Sequence, residues 1–501
     1  MILKRSAQLF SDWNAGGIRY CSFKSNEHLL EGLEGKTDLD ILIDRSDYDK
    51  AVEILLKNSY VQFEPVNVGA YPNVVNWFGM DEETGTLIHI HLHFELMTGK
   101  ALYKDYCLPW AELFLESAFL DEKTGLYLAN PHQEYVLLCT RLVVKRARTP
   151  KHRKIGEDIV RELNYLKNFI DEQTFYATLE KMYGKTEGIG KEMLHIQELS
   201  NEEFIAYYHR VKKEMRKNQR TGEFSAFINS YANRVRRKLN RDSNRKFGTV
   251  RPLKKRAVNG GVSVAFVGID GSGKSTVSKE ILKWISAEFD AVKYYAGAGD
   301  GKKDLISAVA LKAYKKMHSE KSNQGSQADE TKVPGEKTGN PAPRLSLRKK
   351  VKGLGSSTAY LRILKSNIRH LKEAQKLTKE GLICLMDRYP QNSLPGMHDG
   401  AKLRKYDTGR GVLHNCVMKE QALLDKVKAY PFDLVLRFVV SPETSYARKP
   451  EEPLDSLKRK AETLKQVNYD AGRVVDINAD EPLEQVILNV KREIWAALSM
   501  K

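Results

Sequence analysis

The glycine-rich segment GIDGSGKST at 268–276 carries the strongest chemical signal in this sequence. It begins at the end of the apolar run VSVAFVGI. Its glycines, lysine and serine stand in the register G-x-x-x-x-G-K-S/T. Glycines let backbone N–H groups curl around a phosphate, the ammonium of Lys274 adds positive charge, and the hydroxyl of Ser275 helps to hold Mg²⁺. The sequence therefore predicts a site for the phosphates of ATP between a buried strand and a helix. The predicted nucleotide-binding residues are Gly268, Gly271, Ser272, Gly273, Lys274, Ser275 and Thr276.

A second group of charged residues is predicted to lie at the same site. Asp270 lies inside the glycine-rich segment, and the apolar run ICLM ends directly before Asp387 and Arg388. Charged groups at the carboxyl end of a parallel strand point into the crevice where ligands bind. Asp387 could then act on Mg²⁺ or on an acceptor hydroxyl, and Arg388 could clamp a phosphate through two hydrogen bonds. The predicted catalytic residues are Lys274, Asp270, Asp387 and Arg388, and the predicted metal ligands at this site are Ser275 and Asp387.

These motifs give the carboxy-terminal half a resemblance to thymidylate kinase and its relatives among the nucleoside monophosphate kinases. The resemblance rests on FVGIDGSGKST at 266–276, DRYPQNS at 387–393, FDLVLRFVVSPETSYARK at 432–449 and VVDINADEPLEQVILNVKREIW at 474–495. It implies a parallel sheet flanked by helices, with ATP as donor and Mg²⁺ as cofactor. It also implies that Asp270 contacts the acceptor and that the Asp-Arg pair positions acceptor and phosphates. The mobile basic lid of the family would lie near Arg448, Lys449, Arg459 and Lys460.

The chain departs from this family between residues 299 and 382, where it is longer and more basic than a compact thymidylate kinase. The acceptor-binding elements of the family lie in this region, so the resemblance does not assign dTMP as the acceptor. A nucleoside monophosphate or another phosphorylated or hydroxylated metabolite is expected. Residues 318–344 are polar, carry three prolines and predict a mobile insertion, because they hold too few apolar side chains to fold alone. The glycine-rich stretch at 294–304 is either part of an acceptor site or a flexible loop.

The amino-terminal part contains paired carboxylates of a different kind, in CSFKSNEHLLEGLEGKTDLDILID at 21–44. Asp38 and Asp40 are separated by a single apolar residue, so both carboxylates lie on one face of a strand. Carboxylates at this spacing suit the binding of two metal ions that flank a displacement at phosphorus. A second alternating run, TLIHIHLHFEL at 86–96, puts four polar side chains on one face: His89, His91, His93 and Glu95.

This arrangement resembles the nucleotidyltransferase superfamily related to polymerase β. The resemblance implies that the turn holding Lys24 and Ser25 binds a triphosphate, and that Asp38 and Asp40 hold Mg²⁺. The chain departs from the family at that turn, which lacks the usual glycine, and at His91, which stands where relatives carry a third carboxylate. Three alternatives stay open: an active nucleotidyltransferase, a degenerate scaffold that binds a substrate, and a charged strand end of an unrelated fold. The histidines could bind a transition metal, or they could be half-exposed side chains that face a polar cleft.

Length and charge indicate how these parts are organised. The 501 residues, of which 41% are apolar, suffice for several domains with real cores. An α/β segment at 1–135 is followed by a helical, basic segment at 136–255 and by the kinase-like α/β domain at 256–501. The formal charge is +18, and +14 of it falls between Arg210 and Arg256, where 17 basic residues face three acidic ones. The rest of the chain is close to neutral, which argues against nucleic acid as a partner.

One predicted helix in the basic stretch 210–256 has apolar side chains at helical spacing: Phe227, Tyr231, Val235 and Leu239. It could make weak contact with an anionic membrane or touch nucleic acid, or it could be a solvated helix that links two domains. Five cysteines without a C-x-x-C pair, and an amino terminus without the apolar core of a signal peptide, predict a cytoplasmic location.

The main functional prediction is an ATP- and Mg²⁺-dependent phosphotransferase that acts on a small-molecule acceptor. One alternative is a bifunctional protein of a sugar or surface-glycan pathway, whose amino-terminal domain transfers a nucleotidyl group to a sugar or alcohol. Another is a regulatory protein that binds ATP and hydrolyses it slowly without phosphorylating a second molecule.

Overall fold

The computed structural model describes residues 1–65, 71–146, 155–184, 187–296 and 347–501. Within them the chain forms two compact units, Met1–Val258 (unit 1) and Asn259–Lys501 (unit 2). The insertion predicted at 318–344 and most of the stretch at 294–304 lie outside the described residues. The division into three segments, with boundaries at 135 and 255, stays a prediction.

Unit 1 is built around a mixed eight-stranded sheet. Its strands, together with the two-stranded ribbon β6–β7, are β1 Tyr20–Ser22, β2 Leu39–Ile43, β3 Val61–Pro65, β4 Val74–Met80, β5 Leu87–His93, β6 Leu96–Thr98, β7 Tyr106–Leu108, β8 Phe119–Asp121, β9 Leu126–Leu128 and β10 Lys255–Ala257. The order in the sheet is β10-β3-β4-β5-β2-β1-β9-β8, and the pairs β2–β5 and β1–β9 are parallel. Ile88, Ile90 and Leu92 of β5 are fully buried on one face, so the alternating histidines occupy the other.

Ten α-helices complete the described part of unit 1: α1 Lys4–Ala15, α2 Leu29–Leu33, α3 Tyr48–Lys57, α4 Ala111–Glu116, α5 Pro131–Val144, α6 Glu157–Lys167, α7 Glu172–Tyr183, α8 Gly190–Leu194, α9 Asn201–Met215 and α10 Glu223–Phe247. Helix α5 begins where the side chain of Asn130 accepts a hydrogen bond from the N–H of His132, with Pro131 in the first turn. Nearly all of its side chains are buried, because α6, α7 and α9 pack around it. One apolar core joins these helices to residues of the sheet, among them Phe23 and Leu42.

Helix α10 contacts the rest of unit 1 mainly through polar side chains and exposes most of its large apolar side chains to solvent. Ser230 donates a hydrogen bond to the carbonyl oxygen of Ala101 at 2.7 Å, and Asn233 donates one to that of Leu102 at 3.0 Å. This is the reverse of a helix that packs its apolar face on a core. The predicted apolar side chains have exposed fractions of 41% for Phe227, 61% for Tyr231, 38% for Val235 and 60% for Leu239. Across the described ranges, no helix combines the length and apolar character that a membrane span requires.

Unit 2 contains a five-stranded sheet in which every pair of neighbours is parallel. Its strands are β11 Ser263–Gly268, β12 Ala291–Tyr295, β13 Ile383–Asp387, β14 Phe432–Val439 and β15 Ala471–Asn478. The order is β12-β13-β11-β14-β15. Strand β11 carries apolar residues on both faces, which suits a central strand covered on both sides. Val264, Ala265 and Phe266 are fully buried. The chain winds to one side of β11 and then to the other, which opens a crevice at its carboxyl end.

Six α-helices belong to the described part of unit 2: α11 Lys274–Glu288, α12 Leu347–Lys379, α13 Gly411–Asp425, α14 Pro442–Arg448, α15 Leu454–Leu464 and α16 Leu483–Ser499. Helix α11 begins inside the glycine-rich segment, so its positive amino terminus lies at the end of β11. The mixed α/β architecture with a parallel sheet was predicted for the carboxy-terminal half. The nucleotidyltransferase-like fold of the amino-terminal part stays a prediction.

Candidate functional site

The glycine-rich segment forms a loop between β11 and α11 that is packed too closely for side chains. Gly268, Gly271 and Gly273 have φ values of 155°, 78° and 82°. A Cβ on Gly268 would lie 2.8 Å from the carbonyl oxygen of Phe438, and one on Gly271 would lie 2.6 Å from that of Ser445. Both distances are below van der Waals contact, so a side chain at either position would push the loop away from β14 and α14.

Lys274 is buried at the start of α11, and its ammonium group lies inside the loop. Nζ donates hydrogen bonds to the carbonyl oxygen of Ile269 at 2.6 Å and to Oγ of Ser272 at 3.1 Å. Burial, together with the nearby charge of Arg388, lowers the pKa of Lys274 to about 8. An anion in the loop would offset the cost of burying this cation, and a nucleotide phosphate is such an anion.

The loop hydroxyl meets the carboxylate at the end of the neighbouring strand. Oγ of Ser275 donates a hydrogen bond to Oδ2 of Asp387 at 3.0 Å. Two such oxygens are ligands that Mg²⁺ accepts, so the residues present fit the predicted ion. Nζ of Lys293 lies 3.9 Å from the same carboxylate oxygen. Lys293, the central residue of β12, was not predicted from the sequence, because no local pattern marks it as part of the site.

Arg388 adopts a left-handed backbone conformation with a φ of 72°. Its guanidinium group lies between two carboxylates, 3.3 Å from Oδ1 of Asp399 and 3.8 Å from Oδ1 of Asp270. His398 and Asp399 are also left-handed, with φ values of 47° and 62°. Backbone strain is therefore concentrated beside the phosphate loop, as is common at functional sites. Asp399 was not predicted from the sequence, because an aspartate in an irregular loop has no periodic signal.

Three cationic side chains surround the carboxylate of Asp270. Besides Arg388, Nζ of Lys460 lies 3.2 Å from Oδ2, and Nζ of Lys449 lies 3.8 Å from Oδ1. Burial opposes ionisation, but the charges of Lys460 and Arg388 hold the pKa of Asp270 at about 2. The carboxylate is therefore ionised at neutral pH. The structure thus brings Asp270 and Arg388 together beside Lys274 and Asp387, as the sequence predicts.

The four residues predicted to form a basic lid take different positions. Lys449 and Lys460 contact the loop carboxylate, whereas Arg448 donates a hydrogen bond to the carbonyl oxygen of Ala479 at 3.0 Å. Arg459 lines a cavity of about 570 Å³. No carboxylate is present in the lining formed by the described residues. Its charged lining residues are Lys402, Arg404, Lys405, Arg459 and Lys460.

In unit 1, two aspartates and three histidines form one cluster across β2 and β5. Asp40 pairs with His91 in the parallel register, so the histidine lies beside the aspartates. Nδ1 of His91 is 3.6 Å from Oδ2 of Asp38 and 3.5 Å from Oδ1 of Asp40. Nδ1 of His89 is 2.6 Å from Oδ1 of Asp38, and Nε2 of His93 is 3.2 Å from Oδ1 of Asp40. The alternation of β5 therefore places all three histidines on the face of the carboxylates, as predicted.

The expectation of half-exposed histidines is wrong for two of the three. His89 and His93 are only 6% and 5% exposed. The ring of Phe78 on β4 stacks on His89 with centroids 4.0 Å apart, and Phe23 contacts His93 edge to face at 4.9 Å. Burial lowers the pKa of both imidazoles to about 4, so both are neutral at pH 7.

Four cationic side chains line a small cavity next to this cluster: Lys24, Lys104, Arg141 and Lys145. Nζ of Lys24 lies 3.0 Å from Oδ1 of Asp40, which connects the cavity to the carboxylates. Burial lowers the pKa of Lys104 to about 8 and that of Lys145 to about 7. Several cations are thus buried close together, which costs free energy. A bound anion would reduce this cost. The predicted triphosphate turn is left-handed at Ser25, with a φ of 58°.

The parallel sheet and the loop of unit 2 are consistent with the fold of a P-loop kinase, and known proteins resemble the chain over about half of its length. No protein-family model matches. The uncharacterized ATP-binding protein YghS of Escherichia coli K12 is 27% identical over 248 residues, which cover 47% of this chain and 93% of the relative. The uncharacterized ATP-binding protein YghR of the same strain is 22% identical over 236 residues, which cover 46% and 86%. The structure of thymidylate kinase from Candida albicans is similar at 17% identity and a TM-score of 0.28, over 47% of this chain and 91% of that one.

Proposed function

We propose that unit 2 is an ATP-dependent phosphotransferase with a small phosphorylated metabolite as acceptor. The position of Asp270 carries this proposal. Its carboxylate lies in the phosphate loop, 3.8 Å from Arg388 and 3.2 Å from Lys460. Lys460 in turn lines the basic cavity. A protein that only hydrolyses ATP needs no pocket of small-molecule size joined to its phosphate loop, whereas a kinase needs one for its acceptor.

Each charged side chain then has a role in positioning and neutralising phosphate. Lys274 and Arg388 would neutralise the oxygens of the transferring group, and Asp270 would orient the acceptor together with Lys460. Ser275 and Asp387 would hold Mg²⁺, which supplies further charge neutralisation when bound. The relatives YghS and YghR are described as ATP-binding proteins, which supports ATP as the nucleotide.

The lining of the cavity supports an anionic acceptor. Five cations line it without a carboxylate among the described lining residues, and although Lys460 is paired with Asp270 outside the lining, the net positive charge favours an anionic acceptor over a neutral one. A volume of about 570 Å³ lies within the usual range of small-molecule pockets. Tyr360 and Tyr406, which also line the cavity, offer aromatic surface to a base or a sugar ring. A nucleoside monophosphate is the first candidate and a sugar phosphate the second.

An acceptor screen with γ-labelled ATP and Mg²⁺ tests this function in the full chain. We expect label to transfer to a nucleoside monophosphate or to a sugar phosphate, and no transfer by a Lys274→Ala variant. Slow hydrolysis of ATP that stays unchanged across the whole acceptor panel would contradict the proposal. That outcome would favour the alternative of a regulatory protein gated by ATP.

A second activity, nucleotidyl transfer by unit 1, is favoured by the cations beside the paired carboxylates. Asp38 would hold a metal ion there, and the cationic side chains of Lys24, Lys104 and Arg141 would attract the phosphates of a nucleoside triphosphate. The test is pyrophosphate release from a nucleoside triphosphate in the presence of sugars and alcohols. Release should disappear in the double variant Asp38→Ala/Asp40→Ala and persist in Lys274→Ala. Release that survives the double variant would contradict this assignment.

We further infer that helix α10 contacts an anionic membrane surface. Apolar side chains such as Tyr231 and Leu239 point to solvent, and the sequence around them, from Arg210 to Arg256, carries a charge of +14. Cations that flank an exposed apolar stripe suit the headgroup region of an anionic bilayer.

A further inference from the structure

Two overlapping groups of side chains in unit 1 have the composition of a metal site. One consists of Asp38, His89 and His91, and the other of Asp40, His91 and His93. The candidate ligand atoms of each group lie within 4.8 Å of one another. Because His91 belongs to both groups, we expect one ion rather than two.

The surroundings of Asp40 disfavour the second group. Nζ of Lys24 lies 3.0 Å from Oδ1 of Asp40, so a cation already neutralises this carboxylate. The Nδ1 atom of His93 is buried without a hydrogen-bond partner in the described part of the chain. No neighbour therefore fixes the tautomer or the orientation of the His93 ring, as the outer partner of a metal-ligating histidine normally does.

The surroundings of His89 favour the first group. Its Nε2 atom lies 3.0 Å from Oδ1 of Asn76, and its ring stacks on Phe78. This partner orients the ring so that Nδ1 faces the carboxylate of Asp38, with Oδ1 2.6 Å away. A metal ion bound by both atoms would take the place of the hydrogen bond between them.

The first group is also accessible from solvent. The side chains of Asp38 and His91 are 49% and 27% exposed. Three protein ligands with an open side leave room for water or a substrate on the ion. Two imidazoles and one carboxylate suit zinc, iron or cobalt, whereas Mg²⁺ prefers oxygen ligands.

We propose that unit 1 binds one first-row transition-metal ion of the zinc type through Asp38, His89 and His91, with Asn76 as the outer partner. The sequence led to an expectation of Mg²⁺ on two carboxylates; the histidines change the class of metal. Asp40 stays paired with Lys24. Metal binding at this site requires no activity of unit 2.

Titration of the untagged, metal-stripped full chain with Co²⁺ tests this site, with visible absorption as the readout. A polyhistidine tag must be absent because it would bind the probe. We expect one equivalent of Co²⁺ to bind and to give absorption bands of nitrogen and oxygen coordination. Zn²⁺ should displace Co²⁺, and an excess of Mg²⁺ should not. A wild-type chain that binds no stoichiometric Co²⁺ overturns the proposal and leaves only a hydrogen bond between Asp38 and His89.

Single substitutions locate the site. His91→Ala and Asp38→Ala should each weaken Co²⁺ binding by on the order of 100-fold or more, and Asn76→Ala by roughly 10- to 100-fold. The matched control is His195→Ala, because His195 is 48% exposed, lies 3.1 Å from Glu198 and belongs to no group of three candidate ligands among the described residues. Circular dichroism confirms that each variant is folded. Equal losses in the control and in His91→Ala would place the metal elsewhere and overturn the proposal.

Discussion

Nζ of Lys460 lies 3.2 Å from Oδ2 of Asp270 and also lines the basic cavity of unit 2. Asp270 belongs to the loop that is predicted to hold the donor phosphates. One ion pair therefore joins the region proposed for the donor to the region proposed for the acceptor. Arg388, 3.8 Å from the same carboxylate, extends this connection to the strand end that carries Asp387.

Removal of the loop ammonium should abolish phosphoryl transfer. We expect Lys274→Ala to lower kcat by roughly 100- to 1,000-fold, because a preorganised donor to the transferring phosphate is lost. The measurement is the rate of label transfer from ATP at saturating acceptor. Lys279→Ala is the control, since Lys279 is exposed on the same helix. Equal activity of Lys274→Ala and wild type would refute the role of the loop.

The geometry of the guanidinium at position 388 should matter more than its charge. Arg388→Lys keeps a cation but loses the planar fork that reaches Asp270 and Asp399. We expect kcat to fall by at least about 10-fold with little change in the affinity for ATP. Arg362→Lys, at an exposed position of α12, serves as the control. A variant with unchanged kcat would show that Arg388 has no part in the transfer.

Loss of the cation shared by loop and cavity should weaken acceptor binding. We expect Lys460→Ala to raise the KM of a phosphorylated acceptor by about 10-fold, which corresponds to roughly 1.4 kcal/mol. The KM of ATP should change less. Steady-state kinetics with each substrate varied in turn separates the two constants. The control, Lys458→Ala, removes an exposed lysine from the same helix. A rise confined to the KM of ATP would argue against an acceptor in this cavity.

The stability of unit 1 should fall as the pH rises through neutrality. Glu134 is buried in α5, and burial raises its pKa from 4.5 to about 7. Because the folded-state pKa is the higher one, the folded protein binds the proton more tightly than the unfolded chain does. The stabilisation is complete below pH 4.5 and is lost as the pH rises through about 7. The loss amounts to about 3 kcal/mol.

Urea unfolding curves at several pH values measure this loss. The unfolded fraction is read from the hydrogen exchange of the α5 amides, and the labelling pulse is always applied at the same pH. Glu134→Gln should remove the pH dependence attributed to this carboxyl group. Glu122→Gln changes an exposed carboxylate of the same unit and should leave that pH dependence unchanged. An identical pH dependence in wild type and in Glu134→Gln would contradict the assignment.

Helix α10 should bring the protein to anionic vesicles. We expect the full chain to float with vesicles that contain phosphatidylserine and to stay in solution with neutral ones, with binding that weakens as salt rises. The double variant Tyr231→Ser/Leu239→Ser should bind about 10-fold less, because its apolar stripe is lost. Leu30→Ser is the control, since Leu30 is 55% exposed elsewhere in unit 1. Absence of flotation at physiological salt would exclude this contact.

The sequence by itself determined the elements whose geometry is local. The glycines of the loop, the lysine and the serine lie within nine residues, and the backbone of that segment sets their positions. The alternation in β5 likewise predicted that its three histidines share a face, because side-chain direction in a strand repeats every two residues. The stripe on α10 followed from helical spacing in the same way.

Only the tertiary structure decided which residues surround these elements. Lys293 and Asp399 reach the site from a separate strand and from an irregular loop, and no local pattern marks them. The burial of His89 depends on Phe78 of the neighbouring strand β4, whose ring stacks on the imidazole. The basic cavity likewise joins residues around position 402 to residues around position 459. Periodicity governs the direction of a side chain relative to its own backbone, whereas burial and contact depend on which distant segments pack against it.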